Sequence, residues 1–308
     1  MVRTALGELK RLSDAPIVSA RRGRPVGANV SGPSLVAVRD QGSGGALSYR
    51  LYFAHHRGHS IRLATSGALD GPWLVEAPVL HLRATPYTDH IASPVVLCDS
   101  DSSIWRLYFH GGNGTGLCGQ SEAVALSRDG RSFQVHGVDL GRPYWSVFET
   151  GGHWYALVMP GTLWESGSGL SDFEPGPMLL PATARHSSVV VVDDLALVFY
   201  SRIGDSPEHI RLSVVGVSGP WRFWRSVDVG PVLMPEAEFE GVQVSVRPSR
   251  PGECREPSRE IRDPAALIVG KWLYLAYAAG GERALGLARG SVDHLVDIGR
   301  AALREAYG

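Results

Sequence analysis

The chain has 308 residues, 44% of them hydrophobic and 20% charged, with a formal net charge of -1. That balance describes a globular protein with material for a large core, and it lacks the Lys/Arg runs that nucleic acid or an anionic membrane surface would require. No stretch approaches the ~18 apolar residues of a membrane span, and the first residues lack the apolar segment of a secretory signal, so a cytoplasmic location is expected.

In chain order one module recurs five times. Each copy has a strand rich in small residues or Pro, then an aromatic-rich strand, then an alternating strand that ends near Ser or Ala. The first copy reads GPSLVAV from Gly32, YRLYFAHH from Tyr49 and IRLATSGALDGPWLV from Ile61. The second reads ASPVVL from Ala92, WRLYFHGG from Trp105 and AVALSRDGRSFQV from Ala123. A weaker third runs YWSVFE from Tyr144, WYALVMPG from Trp154 and LWESGSGLSDFEPG from Leu163. The fourth is HSSVVVV from His186, LALVFYSRIG from Leu195 and IRLSVVGVSGPWRFW from Ile210. The fifth is RDPAALIV from Arg262, WLYLAYAAGGE from Trp272 and ALGLARGSV from Ala284.

Ile61, Leu63 and Thr65 alternating with Arg62, Ala64 and Ser66 have a period of two, which a helix cannot satisfy. Asp70-Gly71-Pro72, Asp129-Gly130 and Gly219-Pro220 supply turn chemistry between strands. Helical periodicity is confined to a short segment near 296–306. A four-stranded antiparallel module repeated radially leaves only short edges exposed. The expectation is therefore all-β: a single five-bladed β-propeller over 1–308, with blades at about 29–80, 88–140, 143–180, 185–235 and 236–300.

In a propeller the first strand of each blade lines the channel, so residues at its entrance converge on one axial pocket. The entrances carry Asp89 and His90, Tyr144, Arg185 and His186, and Arg262 and Asp263. Turns on the same rim add His56, His110, Glu208 and Glu282. Any one of these could satisfy loop backbone instead of a ligand, but several from separate blades at one mouth suggest a binding site. Sugar chemistry by general acid and base needs two flanking carboxylates. Glu240 before Gly241 in PEAEFEGV and Asp263 in IRDP are the candidates, although an acidic loop and a turn cap would look the same. Cys98, Cys118 and Cys254 have neither metal-site nor disulfide-framework spacing, and no metal or cofactor is expected.

Several phrases resemble the five-bladed propeller glycoside hydrolases of families 43, 32, 62 and 68. IRLATSGALDGPW from Ile61 is similar to a recurrent strand and turn of family 43, EFEG from Glu238 to its general-acid segment, and IRDP from Ile261 to the Arg-Asp-Pro motif of families 32 and 68. A family 43-like group shares HIASP, YFHG, RHS, PE-x-I and RDP, found here at His90, Tyr108, Arg185, Pro207 and Arg262. The resemblance implies a sugar substrate, Glu240 as proton donor, Asp263 as base or nucleophile, and Arg262, Arg185, His90 and His186 as holders of hydroxyls or a carboxylate. The chain departs at the blade-one station of the family's base, where Gly32 precedes Pro33, and at a second station where Ser93 precedes Pro94. A lyase, cyclase or transferase on the same scaffold, or a carbohydrate-binding propeller without catalysis, therefore remains an open reading.

Overall fold

The computed structural model describes residues 8–20, 26–39, 45–99, 103–114, 119–254 and 256–308; Cys118 lies outside them. Five antiparallel sheets are arranged as blades, as the repeat predicts. Their inner strands are Ser31–Arg39, His90–Cys98, Trp145–Thr150, Ala184–Val192 and Ile261–Val269. Residues of all five line a narrow central channel. Among the described residues no helix is long and apolar enough to cross a membrane.

The core lies between blades, because each sheet has two faces and each must be covered by a neighbour. One cluster joins Tyr52, Ile61 and Leu63 to Ile91, Leu107 and Phe109, and equivalent clusters fill the other four gaps. The recurrent aromatic of the second strand has a polar task as well. Tyr52 and Tyr108, both buried, donate their hydroxyls to the carbonyls of Gly130 and Gly169 in the next blade, at 2.7 and 2.6 Å. Inner strands are stitched in the same sense. Ser34, Ser146 and Ser188 accept from the backbone N–H of Val96, Val189 and Ala266 at 2.9, 3.1 and 2.9 Å.

Four inner strands carry the same irregularity near their starts, between Ser31 and Ser34, Ala92 and Val95, Ala184 and Ser187, and Arg262 and Ala265. Such a bulge locally twists a strand and re-aims its side chains. Gly32, Ser93 and Asp263 take it with φ of 53°, 50° and 51°, each followed by a proline, which has no N–H to lose where the ladder is broken. This shared device turns the strand entrances toward the channel mouth.

The fifth blade differs from the expected span 236–300. Its strands begin at Ile261, and its outer edge is completed by Lys10–Arg11 and Val18–Ser19, both paired with Ala284–Ser291. The chain start thus closes the ring. Among the described residues of 234–260, a linker, there is a 3-10 turn, Glu238–Glu240, and a single bridge from Glu260 to Glu208, and Pro251 and Gly252 reach the mouth. The C-terminal helix, Val292–Tyr307, is longer than expected; Ser291 caps it by accepting from His294 N.

Candidate functional site

The mouth of the channel opens into an axial pocket of about 300 Å³. His56, His90, His110, Tyr144, Arg185, His186, Arg262, Asp263 and Glu282 all line it, so blades far apart in sequence meet there as expected. Ser93, Gln120 and the linker residues Pro251 and Gly252 are also among its wall residues.

One side of the wall is an arc of rings. His90 lies 5.4 Å from His110, His110 lies 4.3 Å from Tyr144, and Tyr144 lies 4.6 Å from His186, measured between ring centroids. The arc ends on Asp263. His186 Nδ1 donates to Asp263 Oδ1, and Gly32 N donates to Asp263 Oδ2 at 3.2 Å. His186 Nε2 has no hydrogen-bond partner among the described residues. Burial by itself would raise the Asp263 pKa, but the His186 charge and hydrogen bond, with Arg262 and Arg185, outweigh it and hold the carboxyl well below its ordinary value. His110 is pushed the other way from a cation. Burial, reinforced by His90, His186 and His56, holds it well below the usual imidazole range, so it is neutral at pH 7. Burial raises Tyr144 to about 12, with Asp263 and Glu122 adding to it, so its phenol keeps its proton.

The opposite side is a guanidinium and carboxylate network. Arg262 Nη2 lies 2.5 Å from Glu260 and 3.2 Å from Glu208, and its Nη1 lies 3.4 Å from Glu282. Arg185 Nε reaches the other Glu208 oxygen at 3.0 Å, and Ser201 donates to that oxygen at 2.7 Å. Glu208 therefore sits behind the pocket, where it fixes the two arginines. Burial raises its pKa against the pull of Arg262 and Arg185. His56 Nδ1 is 3.6 Å from Glu282. The linker is pinned onto this network: the Arg250 carbonyl accepts from Arg185 Nη2 and the Gly252 carbonyl from Arg262 Nη1. Among the described residues no three His, Cys, Asp or Glu side chains are grouped to hold a metal ion.

No family model matches the chain. It is 27% identical over 269 residues to an uncharacterized protein of Acanthamoeba polyphaga mimivirus, covering 78% of this chain and 76% of that one. An N-acetylgalactosamine deacetylase from F. plautii, solved with blood group B trisaccharide, superposes with a TM-score of 0.64 at 12% identity, covering 98% of this chain and 100% of that one. A GH43 β-xylosidase/α-arabinofuranosidase from a compost microbial metagenome, solved with xylotriose, gives 0.60 at 12% identity, covering 92% and 94%. A GH43 enzyme from Xanthomonas citri gives 0.60 at 13%, covering 91% of each. The chain shares the five-bladed propeller fold of these structures.

On this propeller Glu240 lies elsewhere than expected. It is wholly buried between the fourth and fifth blades and is not part of the pocket wall. Arg11 grips it through Nε at 2.8 Å and Nη2 at 2.6 Å, Glu236 N and Ala237 N donate at 2.7 and 2.9 Å, and Tyr277 donates at 2.7 Å. The linker turn that was expected to project it inward instead folds it back on its own backbone. Asp89 lies beside the pocket, not in its wall, and reaches His90 Nδ1 at 2.8 Å. Sequence reasoning missed Glu122, buried directly across the strand pair from His110, with Oε2 accepting from Tyr144 N at 3.1 Å. Burial raises its pKa well above the ordinary carboxyl value, only partly offset by that N–H. Period-two alternation continued back from Val124 would have placed Glu122 in the strand. For Pro251 and Gly252 no local signal exists, since they reach the pocket from a linker without strands.

Proposed function

We propose that this propeller is a sugar-acting enzyme that hydrolyses a terminal glycosidic bond in the axial pocket, with an imidazole as its base. The observation that carries the reading is His186, oriented through Nδ1 by Asp263 and left with a free Nε2 at the end of the ring arc. A carboxylate that fixes the tautomer and orientation of an imidazole is the arrangement that makes histidine a general base. Asp263 itself is a poor proton carrier, because its pKa is depressed and both oxygens are engaged. It holds the base. Arg185, Arg262, Glu282 and His56 are placed to bind hydroxyls, and the Tyr144 phenol is a donor at neutral pH. At about 300 Å³ the pocket is at the small end of ligand sites, which favours a single sugar ring and hence a chain end. The crystallised sugar complexes of neighbours on this fold support a carbohydrate substrate.

A second reading, elimination instead of hydrolysis, is favoured by the wall itself, whose proton-transfer candidates are imidazoles and not two facing carboxylates. Incubating the protein with oligosaccharides and nitrophenyl glycosides and weighing the products separates the two. Hydrolysis adds one water per bond cleaved; elimination adds none and, from a uronate, leaves a double bond conjugated with the carboxylate that absorbs in the ultraviolet. Asp263→Asn is expected to lower kcat by about 10²–10⁴-fold, the range for a misoriented general base. Wild-type turnover in that variant would sink the assignment.

A further inference from the structure

We propose that His90, held by Asp89, is the proton donor to the leaving oxygen and works across the axial pocket from the His186 base; this assignment rests on the hydrolytic reading given above. His90 lies in the pocket wall at the opposite end of the ring arc from His186. It repeats the pairing seen at His186, with an imidazole Nδ1 on a carboxylate, here Asp89 Oδ2 at 2.8 Å, and the ring otherwise free of hydrogen bonds among the described residues.

The local sequence is built around that ring. His90 faces Gly112 across the first two strands of blade two. A Cβ at Gly112 would lie 2.8 Å from His90 Cε1 and 3.1 Å from Nδ1, so only glycine leaves the imidazole its place. The same residue fixes the carboxylate, since its carbonyl accepts from Asp89 N at 2.9 Å, and Thr88 N is held by Asn113 Oδ1 at 3.0 Å. Asp89 is thus anchored by its backbone while its side chain reaches the ring. His110, the imidazole between the two pairs, is buried and kept neutral by its neighbours, which removes it as a donor. Glu240 is excluded by position, and Glu282 is engaged by Arg262 and His56.

In the step that follows, a water oxygen bonds to the anomeric carbon while His186 Nε2 takes one of its protons. The bond from that carbon to the leaving oxygen breaks, and the oxygen keeps the electron pair and takes a proton from His90 Nε2. Sugar hemiacetal and alcohol leave. His186 then loses its proton to solvent and His90 regains one, so no oxidant or further reactant enters.

A general acid matters in proportion to how poor the leaving group is. The test therefore compares kcat/KM of wild type, His90→Gln and Asp89→Asn on nitrophenyl glycosides and on the matching methyl glycosides, with a thermal melt of each variant to confirm folding. His90→Gln is expected to lose about 10²–10⁴-fold on methyl glycosides, where protonation is essential, and far less on nitrophenyl glycosides, whose leaving group departs as an anion. Asp89→Asn should show the same pattern more weakly. Equal losses on both substrate types in a folded His90→Gln variant would make His90 a binding residue and overturn the assignment alone. If wild type hydrolyses neither type, hydrolysis itself is refuted and the assignment falls with it.

Discussion

Replacing Glu240 by alanine would strip the acceptor from five hydrogen bonds at once and leave the largely buried Arg11 with only the exposed Glu236 carboxylate, 3.3 Å from its Nη1. Glu240 is fully buried and the Arg11 side chain is 14% exposed, so the pair is screened little by water. Removing one member of a buried pair costs about 3–5 kcal/mol when the partner is left unpaired, and the surviving contact with Glu236 puts this case at the lower end of that range. Against the ~5–15 kcal/mol of a typical domain that is a large fraction. The location concentrates the effect: Arg11 belongs to the strand that closes the ring on blade five, Glu240 to the linker, and Tyr277 to blade five itself. Glu240→Gln keeps the shape and some of the acceptors and should cost about 1–3 kcal/mol. Urea unfolding of wild type and both variants measures this, with turnover assayed on the folded fraction. Since Glu240 does not line the pocket, Glu240→Gln should turn over substrate at the wild-type rate. A Glu240→Ala variant within about 0.5 kcal/mol of wild type, the scatter of neutral surface changes, would refute the role of Glu240 in holding Arg11 and Tyr277. A stable Glu240→Gln variant whose turnover collapsed would restore Glu240 as a proton donor.

The depressed pKa of Asp263 carries a pH signature. Its folded value lies below the unfolded value of about 3.9, so its contribution to stability is complete above that value and is lost as pH falls through the folded pKa. The stability difference between wild type and Asp263→Asn, from urea midpoints, should be constant above about pH 5 and shrink as pH falls below about 4; a difference that grew toward acid would contradict the depressed pKa of the carboxyl. Gly112→Ala places a methyl 2.8 Å from His90 Cε1, inside normal contact distance. It should preserve the fold by circular dichroism yet reproduce the leaving-group pattern of Asp89→Asn, and unchanged kinetics would show that the ring does not need that space.

The propeller was legible because its causes are local. Period-two alternation, turns such as Asp129-Gly130 and the small-residue inner strands follow from backbone sterics within a few residues, and the same solution repeats five times. Clustering at the mouth was legible too, once the repeat assigned His90, Tyr144, His186 and Asp263 to strand entrances. What the residues do to one another there was not. Asp263 meets His186 across 77 positions and Glu240 meets Arg11 across 229, distances over which no periodicity carries information. By itself the sequence determined the blades and the rim they share. Only the tertiary structure decided that the chain start closes the last blade, that Asp263 holds an imidazole, and that Glu240 faces Arg11 and Tyr277 instead of the pocket. A buried charge goes where its counter-charges are, and those are assembled only when the ring closes.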